Sequence, residues 1–171
     1  MTVAYLVPSA NAVSALLMNV NDYTLINEEV ANADGSVNST NTNDQRSNGT
    51  AVWNLTDLPA FDSINSATFR VRARTGGGQN DDTSTYRFRL DIGGSTYDIT
   101  IAETEETFAN KTIAVGTFTQ SQYNAATVTL SQTAWNKTKG ADGLFCEIDA
   151  FELEVDYEPA LVTTSRRVFI T

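Results

Sequence analysis

Three stretches of this chain alternate apolar and polar residues with a strict period of two. In residues 66–75, Ala67, Phe69, Val71 and Ala73 alternate with Thr68, Arg70, Arg72 and Arg74. In 86–92, Tyr86, Phe88, Leu90 and Ile92 alternate with Arg87, Arg89 and Asp91. In 151–157, Phe151, Leu153, Val155 and Tyr157 alternate with Glu152, Glu154 and Asp156. Side chains on a strand point to opposite faces in turn, so each run demands one wet face and one buried face. That is the pattern of antiparallel sheets, not of parallel strands covered on both sides. Helical spacing is nearly absent. The best helix candidate, 10–19, offers only Val13, Leu16 and Leu17.

Further strands are predicted at 3–7, 22–27, 51–55, 96–101, 112–118, 127–131 and 144–148. Gly93-Gly94 lies between two alternating runs, a two-residue hairpin signal that pairs 86–92 with 95–101. About ten short strands separated by turn residues predict an all-β fold, an antiparallel β-sandwich of jelly-roll-like type. One conflict of parity stands out. Cys146 and Ile148 are apolar at even positions, whereas Phe151 to Tyr157 are apolar at odd ones. A strict strand cannot bury both sets, which predicts a β-bulge or break near Asp149–Ala150. Residues 31–49 are mostly Asn, Asp, Ser, Thr and Gly and read as a long surface excursion, with a short strand near 36–40. The sandwich is expected over 1–158 and a C-terminal extended arm over 159–171.

Composition removes much chemistry. The 171 residues hold 11 Lys+Arg against 21 Asp+Glu, no His and one Cys, for a formal net charge of −10. Without His there is no Ser-His-Asp or Cys-His catalysis and no His-bound metal. The acidic surface argues against nucleic acid as a partner, because phosphate repels it. Residues 1–8 lack the basic n-region of a secretory signal, and the apolar stretch 12–20 is too short to span a bilayer, so no membrane partner is expected. Cys146 reads as a small buried apolar residue. No catalytic, cofactor or metal residues are expected.

Two segments carry a resemblance. Ala51-Val52-Trp53-Asn54-Leu55-Thr56-Asp57-Leu58-Pro59 followed by residues 64–74, and the closing run 146–158, resemble segments of small virion proteins of tailed bacteriophages. The opening Ala4-Tyr5-Leu6-Val7-Pro8 is similar to their start. Sugar-binding β-sandwich modules close with a similar last strand. The resemblance implies a non-enzymatic virion protein, most simply a head decoration or cement protein assembled in the host cytoplasm. It implies the major capsid protein or another virion protein as partner, and a homo-oligomer, a trimer at local three-folds. The alternatives are a tail or fibre module that binds a glycan receptor, and a tail or neck structural protein.

Several side chains are candidates for these roles. Arg70, Arg72, Arg74, Arg87 and Arg89 form an outward stripe that could dock onto an acidic neighbour; alternatively Glu152, Glu154 and Asp156 neutralise it as a ladder, at roughly 0.2–1 kcal/mol per cross-strand pair. In the arm, Arg166, Arg167 and Phe169 could add a strand to a neighbouring subunit. Glycan binding needs exposed aromatics beside amides or carboxylates. Trp135 and then Tyr123 are the candidates, while Trp53 shares parity with Ala51 and Leu55 and reads as core. Calcium could be held by Asn32, Asp34, Asn38, Asn43 and Asp44, or by Asp81 and Asp82, but the EF-hand order of acids and glycine is absent and solvated turns are the preferred reading. Glu103, Glu105 and Glu106 imitate a glycosidase pair only in composition.

Overall fold

The computed structural model describes residues 2–10, 23–40, 50–76, 83–102, 107–136 and 145–161. In chain order the strands are β1 (Thr2–Leu6), β2 (Asn38–Ser39), β3 (Thr50–Asn54), β4 (Phe61–Gly76), β5 (Thr83–Ile92), β6 (Ser95–Ile101), β7 (Ala109–Val115), β8 (Thr127–Asn136) and β9 (Phe145–Pro159). One short helix, α1 (Gln120–Asn124), and two 3₁₀ turns, Tyr23–Leu25 and Val30–Asn32, complete the described elements.

The strands form two antiparallel sheets, ordered β1-β9-β4-β7 and β3-β8-β5-β6, with β2 added to β9. Apart from the β5–β6 hairpin, each connection between successive major strands crosses from one sheet to the other. That is the jelly-roll arrangement expected from the turn spacing. The hairpin turns on Gly93 and Gly94, whose φ angles of 56° and 81° are the left-handed pair a two-residue loop requires.

The core lies between the sheets. Ala67, Phe69, Val71 and Ala73 of β4 face Tyr86, Phe88, Leu90 and Ile92 of β5, all buried. Trp53 is fully buried, as its parity predicts. Phe151 of one sheet meets Trp53 and Phe88 of the other at ring-centroid distances of 5.2 and 6.0 Å, a packing geometry that aromatic quadrupoles favour. Cys146 is buried too.

The two predicted strands at 144–148 and 151–157 are one 15-residue strand. The bulge sits at the expected place. Arg72 pairs with Ala150 and Ala73 with Ile148, so Asp149 is the extra residue. It lets both apolar parities face the core.

The excursion is tied down at its described end. Thr40 donates its N–H to the Cys146 carbonyl at 2.9 Å and accepts the Cys146 N–H on its hydroxyl at 2.8 Å. The strand expected at 22–27 is instead the 3₁₀ turn Tyr23–Leu25, with Ile26 buried behind it. Packing of Ile26 and Val30 into the core wins over the local β-propensity. The helix α1 went unread because it is one turn long. Its start is nevertheless written in the chain: Thr119 and Gln122 form a capping box. The helix candidate at 10–19 lies almost wholly outside the described residues. Among the described residues no helix is long and apolar enough to cross a membrane.

Phe151 joins the two sheets, so Phe151→Ala should cost about 3–5 kcal/mol in urea unfolding. A loss under 1 kcal/mol would show that the aromatic contact does not hold the sheets together.

Candidate functional site

The arginines take their partners from the sheet register. On β4, Arg70, Arg72 and Arg74 point away from the core, and antiparallel pairing lays the acids of β9 beside them. Arg70 Nη2 lies 2.5 Å from Glu154 and Nη1 lies 3.7 Å from Glu152. Arg72 Nε donates to Asp149 at 2.6 Å and Arg74 Nε to Glu147 at 2.5 Å. The bulge decides this set. Glu147 and Asp149 are odd while Glu152 and Glu154 are even, and only the extra residue puts them all against one arginine row.

Arg87 and Arg89 lie on β5, in the other sheet, so the five arginines do not form one patch. Arg89 makes a two-pronged bond to Asp98 at 2.8 Å on each arm, and Arg87 stands 3.9 Å from the same carboxylate. The guanidinium of Arg89 holds the Asp98 carboxyl below its ordinary range. Each of the five arginines therefore has an acid in its own chain, as the ladder alternative expects. Two of the three acids named for that ladder take part; Asp156 instead accepts from Asn65 at 3.2 Å. Docking through these arginines would have to exchange an existing partner.

Two other candidates change. Tyr123 is fully buried, its hydroxyl directed at the Gly116 carbonyl and its ring against Phe61 and Phe118, so it offers no stacking face. Helical geometry in α1 turns it inward, which period-two reasoning could not anticipate. Trp135 belongs to β8, opposite Ser84, and its side chain lies outside the described residues. So do Arg166, Arg167 and Phe169, Asn43 and Asp44, Asp81 and Asp82, and Glu103, Glu105 and Glu106.

Of the calcium candidates, Asp34 stands with Glu28 and Asp149 in a cluster whose carboxylate oxygens lie within 4.8 Å of one another. These oxygens are already engaged. Glu28 accepts from the Asp34 N–H, Asp34 from the Ser36 N–H, and Asp149 from the Gly35 N–H and Arg72. Asn32 donates to Glu29 at 2.8 Å instead of facing the cluster. This is the arrangement of a hydrogen-bonded turn.

An aromatic that the sequence reading passed over sits on the outer face of the first sheet. In β1, Leu6 is buried and Tyr5 points the other way, partly exposed, directly across from Glu154 of β9. Burial raises its phenol pKa first, and the charges of Glu154, Glu29 and Glu152 raise it further while that of Arg70 opposes them. Glu152 is wholly buried. Its Oε2 accepts the Val30 N–H at 2.9 Å, but among the described residues its Oε1 accepts no hydrogen bond. Burial pushes its carboxyl above the ordinary range despite Val30 and Arg70. At the far end of the same face Phe108 lies under the guanidinium groups of Arg72 and Arg74, 5.3 and 4.8 Å from its centroid. The signal for Tyr5 was present: alternation within residues 3–7 sets it opposite Leu6.

No protein-family model matches the chain, and no curated protein matches it. Among solved structures it is similar to a carbohydrate-binding module of family 29, at TM-score 0.48 and 9% identity over 92% of each chain. It is also similar to an alanine variant of the CBM29-2 module complexed with mannohexaose, at TM-score 0.47 and 10% identity over 92% of this chain and 93% of that one. With TM-scores below one half, these likenesses bear no weight for the ligand. The sandwich stands on its own strand order.

Arg72→Ser should destabilise the protein by about 2–3 kcal/mol, because it strands the buried Asp149. Arg74→Ser should cost under about 1 kcal/mol, because Glu147 still reaches water. Equal losses in thermal unfolding would refute this ranking. Glu152 titrates above its unfolded value, so its contribution to stability is complete below the ordinary carboxylate range and disappears as pH rises through the raised value. The melting-temperature advantage of the native protein over Glu152→Gln should shrink from pH 4 to pH 8. A gap that stays constant would mean Glu152 titrates normally.

Proposed function

We propose that this protein is a non-catalytic binding module that recognises a surface glycan, in the setting of a bacteriophage particle implied by the sequence resemblance. The observation that carries the reading is Tyr5. A partly exposed ring with Glu154 directly across from it, and the Arg70 guanidinium on that carboxylate, is the combination a sugar needs: an apolar surface for its C–H face, with fixed acceptors and donors for its hydroxyls. The rigid sheet holds these groups ready, so little ordering cost falls on binding. The named solved structures are carbohydrate-binding modules, and the reading agrees with their names without resting on them.

Decoration of the capsid is the second reading. It is favoured by the resemblance of β3, the start of β4 and β9 to virion proteins, and by a net charge of −10 that keeps the free protein soluble before assembly. On that reading the arm after Pro159 and a symmetric oligomer supply the contacts with the shell.

A glycan array probed with the native chain and with Tyr5→Ala separates the two. The glycan reading expects hits that Tyr5→Ala weakens by about tenfold or more, at an unchanged melting temperature. An empty array, together with co-sedimentation on phage heads at a fixed stoichiometry, would replace it with the capsid reading.

A further inference from the structure

A second aromatic stands on the outer face of the first sheet, and the Tyr5 site leaves it unused. Phe108 is partly exposed just before β7, with the Arg72 and Arg74 guanidinium groups 5.3 and 4.8 Å from its ring centroid. Three strand spacings and six residues of register separate it from the Tyr5 row, about 25 Å in all. The Val30 segment lies over Glu152 between them. Phe108 is therefore a separate contact and not an extension of the Tyr5 site.

The donors around this ring are fixed before any ligand arrives. Arg72 gives its Nε–H to Asp149 at 2.6 Å and Arg74 its Nε–H to Glu147 at 2.5 Å, and both guanidinium groups lie over the ring. A guanidinium has five N–H donors, and these two side chains keep 31% and 39% of their surface in solvent. Arg72 Nη1 also donates to Asn110 Oδ1 at 3.2 Å. A guanidinium only donates, so the exposed Asn110 amide turns its oxygen to Arg72 and holds its two Nδ2–H donors for another group.

An apolar ring beside rigid N–H donors matches an acceptor joined to a small apolar group. An anion fits poorly. Each guanidinium already holds a carboxylate, whose charge a second anion would meet. A plain hydroxyl would use the donors and leave the ring uncovered. An acetamido group serves both, because its carbonyl oxygen accepts two hydrogen bonds and its methyl leaves water for the ring.

We infer that Phe108, Arg72, Arg74 and Asn110 form a second sugar contact, selective for an N-acetylated amino sugar. The acetamido carbonyl accepts from Asn110 and Arg72 while its methyl rests on the Phe108 ring. This rests on the glycan reading above and adds a ligand class to it. On a glycan-coated surface the two contacts act together, so losing either weakens attachment. A free trisaccharide is too short to reach both.

The test is calorimetric titration of the full chain with three trisaccharides: N-acetylglucosamine trimer, its free-amine counterpart and mannotriose. The acetylated trimer should bind about tenfold or more tighter than the other two. That preference should fall about tenfold in Phe108→Ala. It should fall equally in Asn110→Asp, which keeps an oxygen for Arg72 and removes both amide donors. Tyr5→Ala should leave it in place. Equal binding of the three sugars, or a preference that survives Phe108→Ala and Asn110→Asp, would overturn the inference and leave the glycan reading standing. Loss of the preference in Tyr5→Ala alone would do the same, by moving acetyl recognition to the other site. Tightest binding of the free-amine trimer would reveal attraction of a cation to an acidic chain and overturn it. Failure of every trisaccharide would overturn the inference, and an empty glycan array besides would overturn the glycan reading as well.

Discussion

The antiparallel pairing of β4 with β9 is the interaction on which the rest depends. These are the two longest strands, of 16 and 15 residues, and they lie side by side in the middle of one sheet. Their inner faces supply Phe69, Val71, Phe151 and Leu153 to the core, and their outer faces supply the arginines and their acids. A single inserted residue, Asp149, keeps both sets in step. Without it a one-residue slip would turn Cys146 and Ile148 outward and Glu147 inward. The bulge is therefore part of the design of the fold and of its surface chemistry at once.

The same bulge explains why two acids can be buried. Asp149 and Glu152 both lack solvent exposure, and the segment bearing Val30 and Gly35 covers them. Asp149 is well compensated, with Arg72 on one oxygen and the Gly35 N–H on the other. Glu152 is less so: one oxygen is hydrogen-bonded, and the other has only the Arg70 guanidinium 3.7 Å away. Burial with incomplete hydrogen bonding of this kind costs stability.

Charge neutralisation within each sheet also changes the picture of the surface. Arginines that seem a basic stripe in the chain are divided between two opposite faces and matched to acids on both. A surface of this kind has little long-range pull on anions, and its recognition works at contact distance.

Alternation by itself determined the strand runs, the hairpin at Gly93-Gly94, the burial of Trp53 and the position of the bulge, because period two is a local property of a pleated chain. It did not determine Tyr23–Leu25, where the burial of Ile26 and Val30 overrides a β-prone segment, or α1, which is too short to show a period. The candidate site was less legible than the fold. Whether Arg70 and Arg87 share a face depends on which sheet each strand joins, and whether Tyr5 stands beside Glu154 depends on pairing across more than a hundred residues. Such juxtapositions are made by long-range register, which no local pattern encodes. Only the tertiary structure decided that Tyr123 is buried, that Tyr5 is presented, and that Glu152 lies buried between the Val30 N–H and Arg70.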